Sequence, residues 1–391
     1  MTLNKTQKPW FKKPRALKKG SKVAIIGGGI SGVSIAYHLL KSGYDPTIIE
    51  NNSRILSGAS GNPAAILDPY LSVGDGVEST FYAAAYKYSV NFYKSLSPDI
   101  LTRYDLTKII EKQEHIDRFR EIRKKYPDAL ADGKKFSLTF RDGGLVRPQK
   151  LAEYMKDILQ ILYNKEVSHF DLNDKDQWDI YDINGRKFLD ADAVVVCNSY
   201  DNLAFNQTKH VKLSKVSGQI SFLAPQYKSP SILCSDGYIT PPIETDYGPV
   251  NMCGATFDNC NSDEITEDAH SINIGKSPYK FVDPKILGGR RATRAMSSDH
   301  LPICGPVAKY SKYIEKYSDL HHGPNHKNFA DAPYFDKLFI NVGLGARGFL
   351  TAPLLAIHLT SLISGTPTPL NENIYHALHP ARFIIRDLSK K

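Results

Sequence analysis

The sequence predicts an α/β fold, α+β overall, in which a Rossmann-like nucleotide-binding domain carries an inserted antiparallel β-sheet. Near the N-terminus, a short apolar strand ends in a glycine-rich turn that opens a helix, at Val23–Gly32. The continuous apolar run Asp192–Cys197 is typical of a parallel sheet that is covered on both faces. Between Val211 and Phe257, short β-rich pieces alternate with Gly, Pro and Asp, which indicates an antiparallel sheet.

The chain of 391 residues exceeds the length at which one hydrophobic core usually suffices, so we expect more than one domain. The nucleotide-binding domain is predicted to be discontinuous because its apolar strands lie on both sides of the β-rich region. The predicted boundaries are residues 1–20 for a basic leader or linker, 21–95, 142–200 and 285–391 for the nucleotide-binding domain, and 96–141 and 201–284 for the substrate domain.

The net charge of +9 is concentrated at the N-terminus. The first 20 residues hold seven basic residues and no acidic one, and the remainder holds 43 basic and 41 acidic residues. This leader is interpreted either as a solvated or disordered arm or as an arm that binds phosphates. Other basic clusters lie at Arg118–Lys125 and near the chain end, at Arg382, Arg386, Lys390 and Lys391.

The five cysteines form no C-x-x-C pair, and their odd number and scattered spacing fit reduced thiols in a cytoplasmic protein. No Cys/His cluster has the spacing of zinc ligands, so no metal is expected. The longest apolar stretch, Ala352–Ile363, is too short to span a bilayer, and we expect no membrane association. No basic-then-apolar signal peptide opens the sequence.

The glycine-rich turn has the spacing of a dinucleotide-binding loop. Gly27 permits a tight turn, Gly29 lets the backbone approach a pyrophosphate, and Gly32 lets the helix pack against the strand. The helix N-terminus offers N–H donors and partial positive charge to phosphates. A second strand ends on Glu50, which we expect to accept hydrogen bonds from ribose hydroxyls, disfavouring a 2′-phosphorylated nucleotide.

FAD is the predicted cofactor, because a second glycine-rich strand-to-helix turn occurs at Gly343–Phe349 without a second dinucleotide motif. An extended FAD would place its AMP half on the first turn and its flavin ring near the second, where a helix N-terminus would stabilise the reduced ring. The small residues of Ser57–Asn62 are typical of a loop pressed against a ligand. The predicted cofactor-binding residues are Gly27, Gly29, Ile30, Ser31, Gly32, Glu50, Asn51, Ser57, Ala59, Ser60, Gly61, Asn62, Gly345, Arg347, Gly348, Phe349 and Leu350.

Motifs along nearly the whole chain carry a resemblance to a known family. They are Lys8-Pro-Trp10, Ile25–Gly32, Gly58–Asn62, Ser217-Gly-Gln219, Cys234–Pro241, Arg290–Arg294, Asp299–Pro302, Leu344–Gly348, Ala352-Pro353 and Ala381-Arg382. With these motifs the sequence resembles the D-amino-acid-oxidase-type flavoproteins. Among them it is similar to the FAD-dependent oxidoreductase half of the bifunctional tRNA 5-methylaminomethyl-2-thiouridine biosynthesis enzymes.

The resemblance implies a substrate and a reaction. The enzyme would oxidise the carboxymethylaminomethyl group of a tRNA wobble uridine, and hydrolysis of the imine would release glyoxylate and leave 5-aminomethyl-uridine. A methyltransferase would be fused to it or act as a separate partner. Free glycine, sarcosine or another small amino acid is the alternative substrate. A third possibility is a flavin-binding protein without turnover.

The resemblance also implies site residues. Arg290 and Arg347 match the arginines that hold the substrate carboxylate in related oxidases, and they are the predicted catalytic pair. Arg294 and Tyr238 are further candidates for substrate binding. His300 lies in a motif turn that suggests a structural role. Two departures from the family pattern concern the substrate, because Ser217 replaces an arginine and Arg291 replaces a smaller residue.

Overall fold

A computed structural model describes residues 8–390 apart from residues 71, 110–116, 118–119, 123–129, 132–136, 142 and 259–261. In chain order its strands are β1 Lys22–Ile26, β2 Asp45–Ile49, β3 Ala65–Ile66, β4 Leu101–Arg103, β5 Asp105–Ile109, β6 Leu130–Ala131, β7 Ser137–Phe140, β8 Gly144–Val146, β9 Gln160–Leu162, β10 Val167–Leu172, β11 Trp178–Asp182, β12 Lys187–Ala191, β13 Ala193–Val196, β14 Ser214–Leu223, β15 Ser231–Cys234, β16 Tyr238–Ile239, β17 Ile243–Thr245, β18 Gly248–Gly254, β19 Ile286–Met296, β20 Ile303–Ala308 and β21 Tyr334–Val342. Its α-helices are α1 Ile30–Lys41, α2 Val77–Leu96, α3 Pro148–Lys156, α4 Glu267–Lys276, α5 Tyr310–Lys316, α6 Gly348–Ser364, α7 Glu372–Leu378 and α8 Arg382–Leu388. Short 3₁₀ helices occupy Pro9–Phe11, Ser199–Ala204, Ser318–His322 and Gly345–Arg347.

A mainly parallel sheet forms the centre of the nucleotide-binding part. Its described strands lie in the order β20-β21-β13-β1-β2-β9, and all neighbours are parallel except β20 and β21. The apolar run that predicts a strand at Asp192–Cys197 forms β13, whose four residues are fully buried. One face of the sheet packs against α1 and α6, and the other packs against residues of β10 and β11, so apolar side chains fill both faces, as expected for parallel strands.

The β-rich middle of the chain forms a large, mostly antiparallel sheet. Its strands follow the order β19-β14-β18-β16-β15-β5-β7-β6, with β17 paired to β18. The predicted boundary at residue 285 assigns the residues of β19 to the nucleotide-binding domain. In the structure, β19 instead belongs to the large sheet, because it pairs with β14 along its length. Two smaller described sheets contain β10-β11-β12 and β3-β8-β4.

Of three helices predicted from the sequence, one is present, one is shorter than predicted, and one lies largely outside the described residues. The aromatic-rich segment predicted as a helix at Tyr82–Ser95 forms most of α2. The predicted helix Gln149–Tyr163 is shorter, because α3 ends at Lys156 and the following residues form β9 at the sheet edge. The charged helix predicted at Ile110–Tyr126 lies largely outside the described residues.

The most apolar helix of the described chain lies in the core. The helical segment Gly345–Ser364 is long and apolar enough to cross a membrane by length and composition alone, but 78% of its most apolar stretch is buried in the protein. It packs between α1 and α2. Its hydrophobicity all round is therefore explained by burial on all sides.

The described part of the N-terminal leader is anchored to the protein and so differs from the solvated or disordered arm considered above. Trp10 is 4% exposed and packs edge-on against Tyr317 and Phe329. The hydroxyl of Tyr313 donates to the Trp10 carbonyl at 2.8 Å. The segment is therefore anchored at Trp10 and Phe11, and Leu17 N donates to the Ile363 carbonyl at 2.8 Å. Sequence periodicity did not predict this packing, because the buried residues of the segment are two adjacent ones, Trp10 and Phe11, which form no periodic pattern.

Candidate functional site

A cavity of about 840 Å³ lies at the carboxyl ends of the parallel strands and extends to the large sheet. Ile26, Ile49 and Val342, each at the end of its strand, line it together with Cys197, which follows β13. In open α/β sheets ligands bind at this edge. The large sheet contributes the opposite wall, through residues of β16, β18 and β19 such as Tyr238, Met252 and Arg294. The cavity therefore joins the two sheets.

The glycine-rich turn forms one end of this cavity. Gly27 has a φ of +105°, and its N–H donates to the Ile49 carbonyl at 2.9 Å, which joins the start of the turn to the end of β2. A Cβ on Gly32 would lie 2.0 Å from the Gly27 carbonyl oxygen, so only glycine allows the helix this close to the strand. A Cβ on Gly29 would meet only Ser60 Oγ, at 3.5 Å. The space beside Gly29 therefore belongs to the cavity.

Glu50 is buried beside this turn. Its Oε2 accepts a hydrogen bond from Gly28 N at 2.7 Å, and its Oε1 accepts from Asn52 N at 2.8 Å and from Asn52 Nδ2 at 2.6 Å. A carboxylate has about four acceptor positions, so one is left for a ribose hydroxyl. Gly28 was missed from the sequence, although the run of three glycines was a signal. A Cβ there would lie 2.7 Å from Ile55 Cγ2 and 2.8 Å from Glu50 Oε2.

The loop Ser57–Asn62 closes over the N-terminus of α1. The hydroxyl of Ser60 accepts from Ile30 N at 3.1 Å. Arg290 Nη1 donates to Asn62 Oδ1 at 2.7 Å, and Arg290 Nη2 donates to the carbonyls of Ser57, at 2.9 Å, and of Gly58. Arg290 is not among the described residues that line the cavity. In the structure Arg290 thus holds the loop Ser57–Asn62 through hydrogen bonds, whereas the sequence predicts that Arg290 binds the substrate carboxylate.

The second glycine-rich turn forms the other end of the cavity. Gly343 and Gly345 have φ values of +73° and +58°, and the chain then enters a 3₁₀ turn and α6. Ser31 Oγ donates to the Asn341 carbonyl at 2.7 Å and so joins α1 to β21. The hydroxyl of Ser31 is therefore used within the protein. Both amide atoms of the Asn341 side chain are buried without a partner.

These features fit an extended FAD. Its pyrophosphate would lie at the glycine cradle and the N-terminus of α1. The N-cap residue there is Gly29, which has no side chain that could take the place of a phosphate. Buried amide atoms of Asn198 and Asn341, both at the cavity wall, lack partners that a bound ring or ribose could supply. Sequence reasoning missed both asparagines, although Asn341 is a polar residue within an apolar strand. Most of the predicted cofactor residues line the cavity, and Gly32 and Gly61 instead allow close packing behind it.

Two arginines that line the cavity have a guanidinium nitrogen without a hydrogen-bond partner. Nη1 of Arg294 and Nε of Arg347 are buried without a hydrogen-bond partner, and both residues line the cavity. Burial lowers the pKa of Arg294, although the nearby Tyr238 opposes this shift. The guanidinium of Arg347 lies 5.0 Å from the ring of Tyr70 and 5.7 Å from that of Tyr82. An unpaired buried guanidinium donor is costly, so both arginines are suited to bind an anion.

Two tyrosines lie beside these arginines, of which Tyr238 lines the cavity and Tyr82 does not. Tyr238, a candidate for substrate binding, lines the cavity beside Arg294, and burial raises the pKa of its hydroxyl. Burial raises the pKa of Tyr82 to about 12, although the positive charge of Arg347 opposes the shift. Both hydroxyls are therefore protonated at neutral pH, but the Tyr82 hydroxyl already donates to the His300 carbonyl at 3.0 Å, so Tyr238 is the candidate donor to a ligand.

The turn that contains His300 is tied into the fold. His300 has a φ of +60°, and its carbonyl accepts from the Tyr82 hydroxyl at 3.0 Å. Its neighbour Asp299 forms a two-pronged ion pair with Arg382, at 2.9 Å from Nε and 2.8 Å from Nη2. His300 is not among the described residues that line the cavity. The structure places this motif as a connection between β19 and α8.

None of the described residues in the predicted basic clusters lines the cavity. Arg382 is buried in its ion pair with Asp299. The cluster at Arg118–Lys125 lies largely outside the described residues, as do Lys5 and Lys391. The lysines at the cavity wall are instead Lys108, which pairs with Asp68 at 2.6 Å, and Lys165.

The described cysteines, Cys197, Cys234, Cys253 and Cys304, are free thiols, and Cys260 lies outside the described residues. Burial raises the pKa of each of the four thiols, so they are neutral and unreactive at physiological pH. Among the residues that the structure describes, no three His, Cys, Asp or Glu side chains gather in a way that could hold a metal ion.

A family model described as FAD dependent oxidoreductase (DAO) matches residues 22–362. Two curated relatives are both named tRNA 5-methylaminomethyl-2-thiouridine biosynthesis bifunctional protein MnmC. The protein from Magnetococcus marinus is 28% identical over 416 residues, which cover 98% of this chain and 62% of the relative. The protein from Marinomonas sp. is 29% identical over 415 residues, which cover 95% of this chain and 60% of the relative. The chain thus spans less than two thirds of the length of these relatives.

Solved structures share the fold. Glycine oxidase from Geobacillus kaustophilus superposes with a TM-score of 0.68 at 17% identity, over 90% of this chain and 97% of that protein. Iminodiacetate oxidase from Chelativorans sp. BNC1 gives a TM-score of 0.69 at 21% identity, over 90% of this chain and 98% of that protein. These likenesses confirm the predicted α/β fold with an inserted antiparallel sheet, and the family match confirms the predicted FAD.

Proposed function

The chain belongs to the FAD dependent oxidoreductase (DAO) family, and from this premise we propose that it oxidises 5-carboxymethylaminomethyl-uridine at the wobble position of a tRNA. The carboxymethyl group would leave as glyoxylate, and the tRNA would retain 5-aminomethyl-uridine. One observation carries the proposal. Arg294 and Arg347 both line the cavity that also contains the glycine cradle, and each has a buried guanidinium nitrogen without a partner.

The proposed reaction removes two electrons from the CH–NH bond of a secondary amine. FAD, when bound, supplies the acceptor for the hydride that leaves the methylene carbon. The amine nitrogen loses its proton to solvent, and a C=N bond forms in the substrate. Water then adds to this carbon, and cleavage of the C–N bond releases glyoxylate and the primary amine. The chemistry needs an oriented substrate more than it needs an acid or a base from the protein.

Orientation would come from the substrate carboxylate. A planar guanidinium binds a carboxylate through two donors, and Arg294 and Arg347 could each contribute. The aromatic rings of Tyr70 and Tyr82 beside Arg347 limit the directions in which its guanidinium can point. Tyr238 would add a neutral hydroxyl donor. We propose Arg347 and Arg294 as the carboxylate-binding pair, and we assign Arg290 to the cofactor loop.

The names of the relatives support a tRNA substrate. They name 5-methylaminomethyl-2-thiouridine as the product and call the proteins bifunctional. The primary amine formed here would need one methyl group to become that methylaminomethyl group. We therefore propose that a methyltransferase, separate or fused, acts after this enzyme. A cytoplasmic location is part of the proposal, and the free thiols of the described cysteines agree with a reducing compartment.

The flavin spectrum of the purified protein tests this function. Under anaerobic conditions, tRNA that carries 5-carboxymethylaminomethyl-uridine should bleach the flavin, and glyoxylate should appear in equal amount. The same tRNA without this modification is the matched control and should leave the spectrum unchanged. Glycine and sarcosine test the alternative substrate class.

The three possible bleaching results distinguish the three candidate functions. Bleaching by the modified tRNA alone supports the proposal. Bleaching by glycine or sarcosine, but not by the modified tRNA, would show a free-amino-acid oxidase. A flavin that none of these amines bleaches would favour a binding protein without turnover.

A further inference from the structure

Phe257 is an exposed aromatic residue at the cavity. Its side chain is 58% exposed, and it lines the same cavity as Arg294. The guanidinium carbon of Arg294 lies 5.2 Å from the centre of the Phe257 ring, within the range of a cation–π contact. Single exposed aromatic residues are common on protein surfaces, so exposure alone carries no meaning. The informative feature of Phe257 is its position beside Arg294, which has an unpaired donor.

The backbone around Phe257 is held in place. Asp258 N donates to the Ser217 carbonyl at 3.0 Å, and Ser217 N donates to the Asp258 carbonyl at 2.9 Å. On the other side, Thr256 N donates to the Gln219 carbonyl at 3.1 Å. The side chain of Asp258 also pairs with Arg291 at 2.6 Å. The backbone on both sides of Phe257 is therefore anchored to the large sheet, which holds the base of its exposed side chain at the cavity.

We propose that Phe257 is the platform on which the uracil ring of the substrate stacks, beside Arg294, which would bind the substrate carboxylate. This inference rests on the proposed function and adds a specificity-determining residue to it. Protein aromatic rings commonly stack on unpaired bases of single-stranded RNA. The anticodon loop presents such a base.

The dimensions agree with this arrangement. Four bonds, each about 1.5 Å long, join C5 of the uracil to the carboxylate carbon, so they span roughly 5 Å when extended. The Phe257 ring and the Arg294 guanidinium are separated by 5.2 Å. A carboxylate bound by the Arg294 guanidinium and a base stacked on Phe257 would therefore occupy neighbouring positions, at a separation on the scale of this linker. Free glycine has no ring to stack, so the platform would favour the nucleoside.

Steady-state kinetics of four variants test the platform, with the modified tRNA and with the free 5-carboxymethylaminomethyl-uridine nucleoside as substrates. Phe257→Ala and Phe257→Leu remove the aromatic ring, and Phe257→Tyr keeps it. Tyr247→Ala removes an aromatic residue of similar exposure, 54%, that is not among the described cavity residues. Bound flavin, measured by its absorbance, shows that each variant is folded.

Loss of a stacked base costs at least about fivefold in affinity. We expect the KM for both substrates to rise by that factor or more in Phe257→Ala and Phe257→Leu, and to rise more than kcat falls. Phe257→Tyr should restore the wild-type KM, and Tyr247→Ala should keep it. A wild-type KM in Phe257→Ala or Phe257→Leu would overturn the inference, as would an effect seen with tRNA but not with the nucleoside. If the wild-type protein does not oxidise the modified tRNA, the proposed function fails first, and the inference fails with it.

Discussion

Arg290 Nη1 lies 2.7 Å from Asn62 Oδ1, and this hydrogen bond ties a strand of the large sheet to the loop that lines the cavity. The same guanidinium also binds the carbonyls of Ser57 and Gly58. Arg294 lies four residues further along the same strand, yet its Nη1 has no partner. Two arginines of one motif therefore have different positions, one behind the cofactor loop and one at the cavity wall.

We expect Arg290→Met to weaken FAD binding, because the loop loses hydrogen bonds from a charged donor. Such bonds are each worth about 1.5–3 kcal/mol, so an affinity loss of tenfold or more follows. The fluorescence of released flavin after dilution measures this loss. Arg291→Met is the matched control from the same strand, since Arg291 instead binds Asp258 and the Ser262 carbonyl. If Arg290→Met had a normal flavin affinity and a raised substrate KM, the result would instead support the predicted role of Arg290 in carboxylate binding.

Arg347→Lys and Arg294→Lys should raise the substrate KM by roughly tenfold to a hundredfold while flavin remains bound. Lysine keeps the positive charge but loses the planar pair of donors that matches a carboxylate. Anaerobic flavin bleaching as a function of substrate concentration measures the effect. Wild-type kinetics in both variants would show that the carboxylate binds elsewhere.

Gly28→Ala should lower the affinity for FAD. The added Cβ would meet Ile55 Cγ2 at 2.7 Å and Glu50 Oε2 at 2.8 Å, so the carboxylate would have to move from its place beside the cavity. The flavin content of the purified variant measures the loss. Gly275→Ala serves as the control because a Cβ there meets nothing within 4 Å. Equal flavin content in the two variants would contradict a role for Gly28 in positioning Glu50.

Asp299→Asn should destabilise the fold by about 2 kcal/mol or more at pH 7, because buried Arg382 loses its charged partner. Urea unfolding measures this difference, and Asp387→Asn, which breaks an exposed pair with Lys212, is the control with little expected effect.

The stability difference at Asp299 should also depend on pH. Burial acts to raise the pKa of Asp299, but hydrogen bonds and charge from Arg382 outweigh it and lower the pKa overall. A lowered pKa in the folded state stabilises the protein above the pKa of the unfolded state, which is about 3.9 for Asp. This contribution is lost as the pH falls through the folded-state pKa. The gap between wild type and Asp299→Asn should therefore narrow in acid, and a constant gap would argue against the ion pair as its source.

Local features of the fold could be read from the sequence. The strand, glycine turn and helix at Val23–Gly32 and the buried strand β13 depend on interactions among near neighbours in the chain. Their glycines and β-branched residues restrict the backbone directly. Features that depend on distant partners could not be read in this way. Trp10 lies in a basic leader, and only its packing against Tyr317 and Phe329, some 300 residues away, explains it.

The sequence by itself determined the α/β fold, the FAD cradle and the family, because each depends on residue types at fixed spacing. The tertiary structure decided which arginine faces the cavity. Arg290 and Arg294 lie four residues apart in β19, and residues at this spacing share one face of a strand. Their different partners arise because the loop Ser57–Asn62 folds against one end of that strand and leaves the other end at the cavity. That contact joins segments more than 200 residues apart, so no local pattern in the sequence encodes it.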